Sequence, residues 1–275
     1  MQGWRVNMED AHIASVDIDK DIHLFAIFDG HGGKEVAKFC EQKFTQGLMS
    51  NENYKSGNYE EALKETFLLM DSMLDTDQGK ALLAQIKGDE NPEGTCYAGC
   101  TANVLLIVKN TYYVANAGDA RAIIYNKSGN YTALSHDHKP DLEVESSRII
   151  KAGGYIVEGR VNENLNLTRA IGDLEYKRNS NLTPQEQIIT AYPDVMKKQF
   201  VEGDAFFVMG CDGTWELLTT EVICKEIDEM LSKDTPIKEV VETMLDRMVA
   251  PDTSDGIGCD NLSLTIVRIK KLPLV

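Results

Sequence analysis

Apolar positions along this chain follow two different periods. Near-continuous apolar runs occupy residues 22–28, 101–108, 112–117, 121–125 and 205–210, and a strand-like run closes the chain at 262–269. Runs of this length next to turn residues predict buried strands. Elsewhere the period lengthens. Between residues 35 and 48, Val36, Phe39, Cys40 and Phe44 share one face, and over 59–75 Ala62, Leu63, Phe67, Met70 and Leu74 do the same. That spacing predicts amphipathic helices. Two more helices are predicted at 220–231 and 236–249, the second opening on Thr235-Pro236, with proline in its first turn. Asp141 is expected to cap a helix running through Ile150 and stopping at Gly153-Gly154. Residues 87–95 read as a polar loop, and Asn126–Asn130 as a turn into a further short strand. Residues 159–200 are polar and irregular, broken by Pro184 and Pro193. Segments of that length usually carry function or are mobile. Hairpin-like strands mixed with paired helices indicate α+β layering rather than strict strand–helix alternation.

Composition narrows the picture. The chain has 275 residues, enough for a substantial core, and no internal repeat or low-complexity stretch. It carries 44 acidic against 28 basic side chains, a net charge of −16. That argues against nucleic acid or an anionic membrane as the main partner. Six cysteines, at 40, 96, 100, 211, 224 and 259, form no Cys-x-x-Cys pair. They are expected to be reduced thiols of a cytoplasmic protein, one that also suits the nucleus. No signal peptide, transmembrane run or prenylation motif is present, and the glycine is third rather than second, so the myristoylation pattern fails.

The chemistry lies in aspartates at the ends of apolar runs. Asp29, Asp119 and Asp212 each end such a run beside a glycine, and Asp260 precedes the last one. Taken singly, Asp-Gly is a hairpin signal. Here, however, Asp29 is followed by His31-Gly32-Gly33 and a helical pattern, and Asp212 by Trp215-Glu216 and another. Carboxylates gathered at strand ends repel one another unless a cation lies between them. Hard oxygen ligands suit magnesium or manganese. The opening segment concentrates Arg5, Glu9, Asp10 and His12, which alone could be a solvated strand.

Beside the Asp-Gly segments, that opening completes a recognisable set. Gln2–His12, Phe28–Gly33, Gly118–Arg121, Asp137–Pro140, Thr168–Asp173, Cys211–Glu216 and Asp260-Asn261 occur in the order found in the metal-dependent serine/threonine protein phosphatases of type 2C. The chain resembles that family along its whole length. The resemblance implies a β-sandwich of two antiparallel sheets flanked by helices, with the metal site at one end. All 275 residues would form one catalytic domain, including a flap-like segment at about 159–203.

It also implies a ligand set. Asp29 would bridge two Mg²⁺ or Mn²⁺ ions. Glu9 and the carbonyl of Gly30 would complete one ion, and Asp212 and Asp260 the other. Asp119, Asp212 and residue 216 would hold a weaker third ion. The family usually has aspartate at that last position, and Glu216 is one methylene longer. Asp10, His12 and Asn261 would support the site, and Arg169 would join Arg5 in binding substrate at the flap. The chain starts at the Arg5 motif, where family members usually have a preceding strand. The strand carrying Arg5 is therefore expected to lack a neighbour or fray.

The expected reaction is hydrolysis of phosphoserine or phosphothreonine in phosphoprotein substrates, with a monomer sufficient for it. Two divalent ions about 3.5–4 Å apart can hold a bridging water and lower its pKa. Arg5 offers a planar fork for phosphate. His31, two residues from Asp29, is placed to act as general acid, against the plainer reading of a structural histidine in a glycine turn. A cysteine nucleophile at Cys211 is rejected, since no arginine follows it and a neighbouring carboxylate raises a thiol pKa. A catalytically silent relative should have lost its metal carboxylates, and these are present. A two-metal nuclease conflicts with the charge.

Overall fold

The computed structural model describes residues 1–88 and 97–270. Strands β1 (Ala11–Asp19), β2 (Ile22–Phe28) and β3 (Gly30–His31) lead into helices α1 (Glu35–Ser50), α2 (Glu52–Lys55), α3 (Tyr59–Leu74) and α4 (Asp77–Lys87). Next come β4 (Gly99–Cys100), β5 (Ala102–Val108), β6 (Thr111–Ala117), β7 (Arg121–Asn126) and β8 (Tyr131–Ala133), followed by α5 (Glu143–Lys151). The chain continues through β9 (Ile156–Val157), β10 (Arg160–Val161), β11 (Ile171–Gly172), β12 (Asp194–Gln199) and β13 (Asp204–Gly210), and closes with α6 (Thr220–Ser232), α7 (Ile237–Met248) and β14 (Leu264–Arg268).

The architecture is α+β, with two antiparallel sheets as its centre. One sheet has the order β1-β2-β5-β6-β12 and the other β14-β13-β7-β8. Side-chain alternation within one strand shows why they stack. In β2, Leu24, Ala26 and Phe28 join the cluster formed with α1, α3 and α4, whereas Phe25 and Ile27 join one formed with Ile124 of β7 and Phe207 and Met209 of β13. Successive residues of a strand face opposite sides, so a strand buried on both faces must be apolar throughout. The second sheet turns its other face, through Ile123, Phe206 and Val208, to α6 and α7. Phe44 of α1 packs between Phe28 and Phe67, with ring centroids 5.8 and 5.5 Å away. Burying each such ring contributes about 1.5–3 kcal/mol.

Three two-residue strands form a small ladder in the order β11-β4-β3. Gly99 of β4 pairs with His31 on one side and Gly172 on the other. Beyond it lies the flap, which shares with Ile149 of α5 an apolar centre of Val161, Leu167, Ala170 and Ile189, separate from the other clusters.

Several expectations need correction. Asp141 does not cap α5, whose first turn follows Leu142 with no side-chain cap. The irregular segment hides β12, which pairs with β6 along its length. α4 was not expected; the side chain of Thr76 caps it through the Gly79 N–H. Of the predicted loop at 87–95, Lys87 ends α4 and Gly88 is its left-handed cap; the remainder, with Cys96, lies outside the described residues. Residues 1–10 form no strand, yet they are tied down. The Trp4 N–H donates to the Cys259 carbonyl, and its indole N–H donates to the Ala250 carbonyl at 2.8 Å.

Candidate active site

The turns that end β2, β6 and β13 and those that precede β1 and β14 meet at one end of the sandwich. They surround a cleft of about 550 Å³ lined by Glu9, Asp29, Gly30, Asp119, Asp212 and Asp260. Gly30 explains why a turn signal marks a site. A Cβ there would lie 2.4 Å from the Glu9 carbonyl oxygen and 3.1 Å from that of Gly33. Only glycine lets these strands close on one another.

Backbone and polar side chains hold the carboxylates in place. The Asn261 side-chain oxygen accepts from the Glu9 N–H at 2.8 Å, while its amide donates to the carbonyls of Gln2 at 2.8 Å and Asn7 at 2.9 Å. Glu9 accepts from the Gly33 N–H at 3.2 Å. Buried Asp10 accepts from the Ser263 hydroxyl at 2.8 Å, and its ligand atoms lie within 4.8 Å of those of Asp29 and Cys211. The Arg5 guanidinium reaches Asp260 at 2.6 Å, and this hydrogen bond, with the carboxylates around it, holds Arg5 still more firmly charged.

The electrostatics are lopsided. Burial, then the charges of Asp212, Asp10 and Asp119, push the Asp29 carboxyl well above its ordinary range. Burial, with Asp119 and Asp260 next, raises Asp212 to about 6. Lys139 donates to Asp119. The Thr101 hydroxyl is buried on the cleft wall without a hydrogen-bond partner among the described residues. Crowded oxygen donors, raised carboxyl pKa values and an orphaned hydroxyl fit hard divalent cations. The Cys211 thiol is fully buried, and burial, with Asp10 and Asp29 beside it, holds its pKa far up, so it stays protonated and inert.

His31 also lines the cleft, and its Nε2 meets Asp173 Oδ2 at 2.7 Å. Burial lowers the imidazole pKa, but the charge and hydrogen bond of Asp173 outweigh it, and the net shift is upward.

Three expected site residues lie elsewhere. Arg169 is buried outside the cleft wall, with its guanidinium on Glu145 at 2.6 Å and Asp194 at 2.8 Å. It braces the flap, and its fork is already filled by protein carboxylates. The Glu216 carboxylate accepts from the Gly258 N–H at 2.5 Å and does not line the cleft. The extra methylene lets it reach that loop. His12 is exposed on β1, because its neighbours Ala11 and Ile13 take the inward face.

Other residues were not singled out from sequence. Asp173 and Arg160 line the cleft from the flap side. Arg121 braces Asp137 through two hydrogen bonds of 2.8 Å. Motif membership marked Asp173, Arg121 and Lys139 without giving a role; Arg160 had no signal.

A sequence profile described as Protein phosphatase 2C matches residues 1–257. "Protein phosphatase 2C 1" of Paramecium tetraurelia is 49% identical over 275 residues, covering 98% of this chain and 91% of that protein. "Probable protein phosphatase 2C 21" of Arabidopsis thaliana is 42% identical over 304 residues, covering 98% and 85%. Among solved structures, a phosphatase from a pathogenic strain of Toxoplasma gondii superposes with a TM-score of 0.76 at 24% identity, covering 98% of this chain and 92% of that one. The chain belongs to the protein phosphatase 2C family, the metal-dependent serine/threonine phosphatases.

Proposed function

We propose that this chain hydrolyses phosphoserine and phosphothreonine in proteins, with Glu9, Asp29, the Gly30 carbonyl, Asp212 and Asp260 holding two Mg²⁺ or Mn²⁺ ions. The observation that carries this reading is the cluster of half-buried carboxylates around one cleft, Glu9, Asp29, Asp212 and Asp260 beside buried Asp119, whose charges are matched by too few cations. Bound divalent ions would supply charge neutralisation and an activated water for phosphoryl transfer. Asp119, already paired with Lys139, is the ligand of a weaker third ion. Arg5, at the cleft mouth, binds phosphate oxygens. As the water oxygen bonds to phosphorus, the bond to the serine or threonine oxygen breaks, and His31 gives that oxygen its proton. The products are the free hydroxyl and inorganic phosphate.

The test compares leaving groups. A phosphoserine leaves as a basic alkoxide, whereas nitrophenyl phosphate leaves as a stable phenolate that scarcely needs a proton. His31→Gln should cost about 10²–10⁴-fold on a phosphopeptide and much less on nitrophenyl phosphate. Equal losses, with metal affinity unchanged by calorimetry, would remove His31 from the acid role. Activity that persists in excess chelator would overturn the metal mechanism.

A further inference from the structure

We propose that Asp173 is the positioning residue that holds His31 for proton transfer, and that Gly99 is the spacer that lets the two side chains meet. This deepens the reading of His31 as the proton donor and rests on it.

An imidazole can aim one N–H at a leaving group only if its ring is fixed, and the second nitrogen is the natural handle. In His31 that handle is Nε2, 2.7 Å from Asp173 Oδ2. An ionised carboxylate only accepts, so Nε2 is the donor in this pair, and Nδ1 remains for the substrate. Asp173 is itself immobilised. Its side chain is 2% exposed, and its backbone sits in the left-handed region at φ 48°, which non-glycine residues seldom adopt. Its N–H donates to the Ala98 carbonyl at 3.1 Å, and its carbonyl accepts from Tyr176 at 3.0 Å. The preceding Gly172 N–H donates to Asp71 of α3 at 2.8 Å, and Lys177 bonds the same carboxylate at 2.6 Å. A chain of contacts thus runs from a core helix to the imidazole.

Gly99 lies between the partners in the ladder. A Cβ there would stand 2.3 Å from Asp173 Oδ2 and 2.5 Å from His31 Nε2. Alanine at 99 would therefore part the pair while leaving both groups in the protein.

The competing interpretation is a buried polar pair that serves stability alone. Five proteins separate the two: wild type, His31→Gln, Asp173→Asn, Gly99→Ala and the double variant His31→Gln/Asp173→Asn. kcat and KM are measured at saturating Mn²⁺ on a phosphothreonine peptide and on 4-nitrophenyl phosphate. Asp173→Asn and Gly99→Ala should each lower peptide kcat by about 10–10²-fold, with KM nearly unchanged and a several-fold smaller loss on the aryl ester. The double variant should be no worse than His31→Gln, because Asp173 acts through His31. Equal losses on both substrates by both single variants, or a double variant with multiplied losses, would overturn the proposal. If His31→Gln is leaving-group selective while the other two are not, the proposal falls and the acid role of His31 stands. If His31→Gln is unselective, both fall. Melting temperatures identify a variant that does not fold, and Gly99→Ala then decides in place of Asp173→Asn.

Discussion

Two regions of this protein bury several charges, and they do so in opposite ways. Where α5 meets the flap, Glu145 is surrounded by cations. Arg148 and Arg169 each bond it at 2.6 Å, the Thr168 hydroxyl adds a third contact, and Arg169 continues to Asp194. Burial alone would raise the Glu145 pKa, but its hydrogen bond to Arg169 and the two positive charges bring it down to about 2. At the end of the sandwich the carboxylates face one another, and burial and mutual repulsion drive Asp29 and Asp212 upward. A buried charge whose partner is in the chain marks architecture; one whose partner is missing from the chain marks a binding site.

The most forceful way to break this contrast is to remove one of the unmatched carboxylates. Asp29→Asn and Asp212→Asn should each lower turnover by about 10³-fold or more, since several kcal/mol of metal-derived stabilisation is lost. Melting temperature in chelator should stay level or rise, because a repelling charge is gone. Near-native activity in either variant would show that the residue is no ligand.

The matched region should respond in the opposite sense. Glu145→Gln leaves two buried arginines short of a partner and should destabilise the fold by about 3–5 kcal/mol, read by urea unfolding. Its pH dependence has a definite sign. A folded pKa depressed to about 2 means that the stabilisation is present above the ordinary glutamate value and is lost as pH falls through the range between them. That is about 3 kcal/mol, and the variant should lack this acid sensitivity. An unchanged acid-unfolding profile would dissolve the contrast.

Arg5 touches the unmatched cluster through Asp260, as Lys139 does through Asp119. Arg5→Ala should raise KM for a phosphopeptide by about tenfold, with a smaller change in kcat, since a phosphate grip acts in ground and transition states alike. A pure kcat defect would confine Arg5 to the transition state. The smallest effect is expected at Glu216. Glu216→Ala removes a contact to Gly258 and should change the calorimetric metal affinity by no more than about twofold, a few tenths of a kcal/mol. A lost binding event would return the residue to the ligand set.

The sequence made the sheets legible where period and burial coincide. β2, β5 and β13 are buried on both faces, so their composition is nearly uniform. β12 escaped because it is an edge strand reading Asp194-Val195-Met196-Lys197-Lys198-Gln199, and edge strands carry lysines against aggregation. Asp29, Asp119 and Asp212 were legible because an aspartate beside glycine at a strand end is a local signal, whereas Glu9 entered only through the family resemblance. Arg169 was misread because a motif gives an arginine's identity without saying which acid it meets, and Glu145 and Asp194 lie 24 and 25 positions away. The same limit hid Asp173, whose partner His31 is 142 residues distant.

Asn261 has a further consequence, for the order in which the molecule assembles. Its side chain joins Glu9 across 252 positions and Gln2 across 259. Contacts this remote form only after the closure entropy of nearly the whole chain has been met, and non-local pairings slow folding. The carboxylates from the two ends of the sequence are therefore among the last groups brought together, and a cation cannot nucleate the early chain through them. Divalent ions act instead on the finished fold by mass action, adding about 2.7 kcal/mol at a hundredfold excess over Kd. Refolding rates should thus be indifferent to magnesium, while unfolding slows.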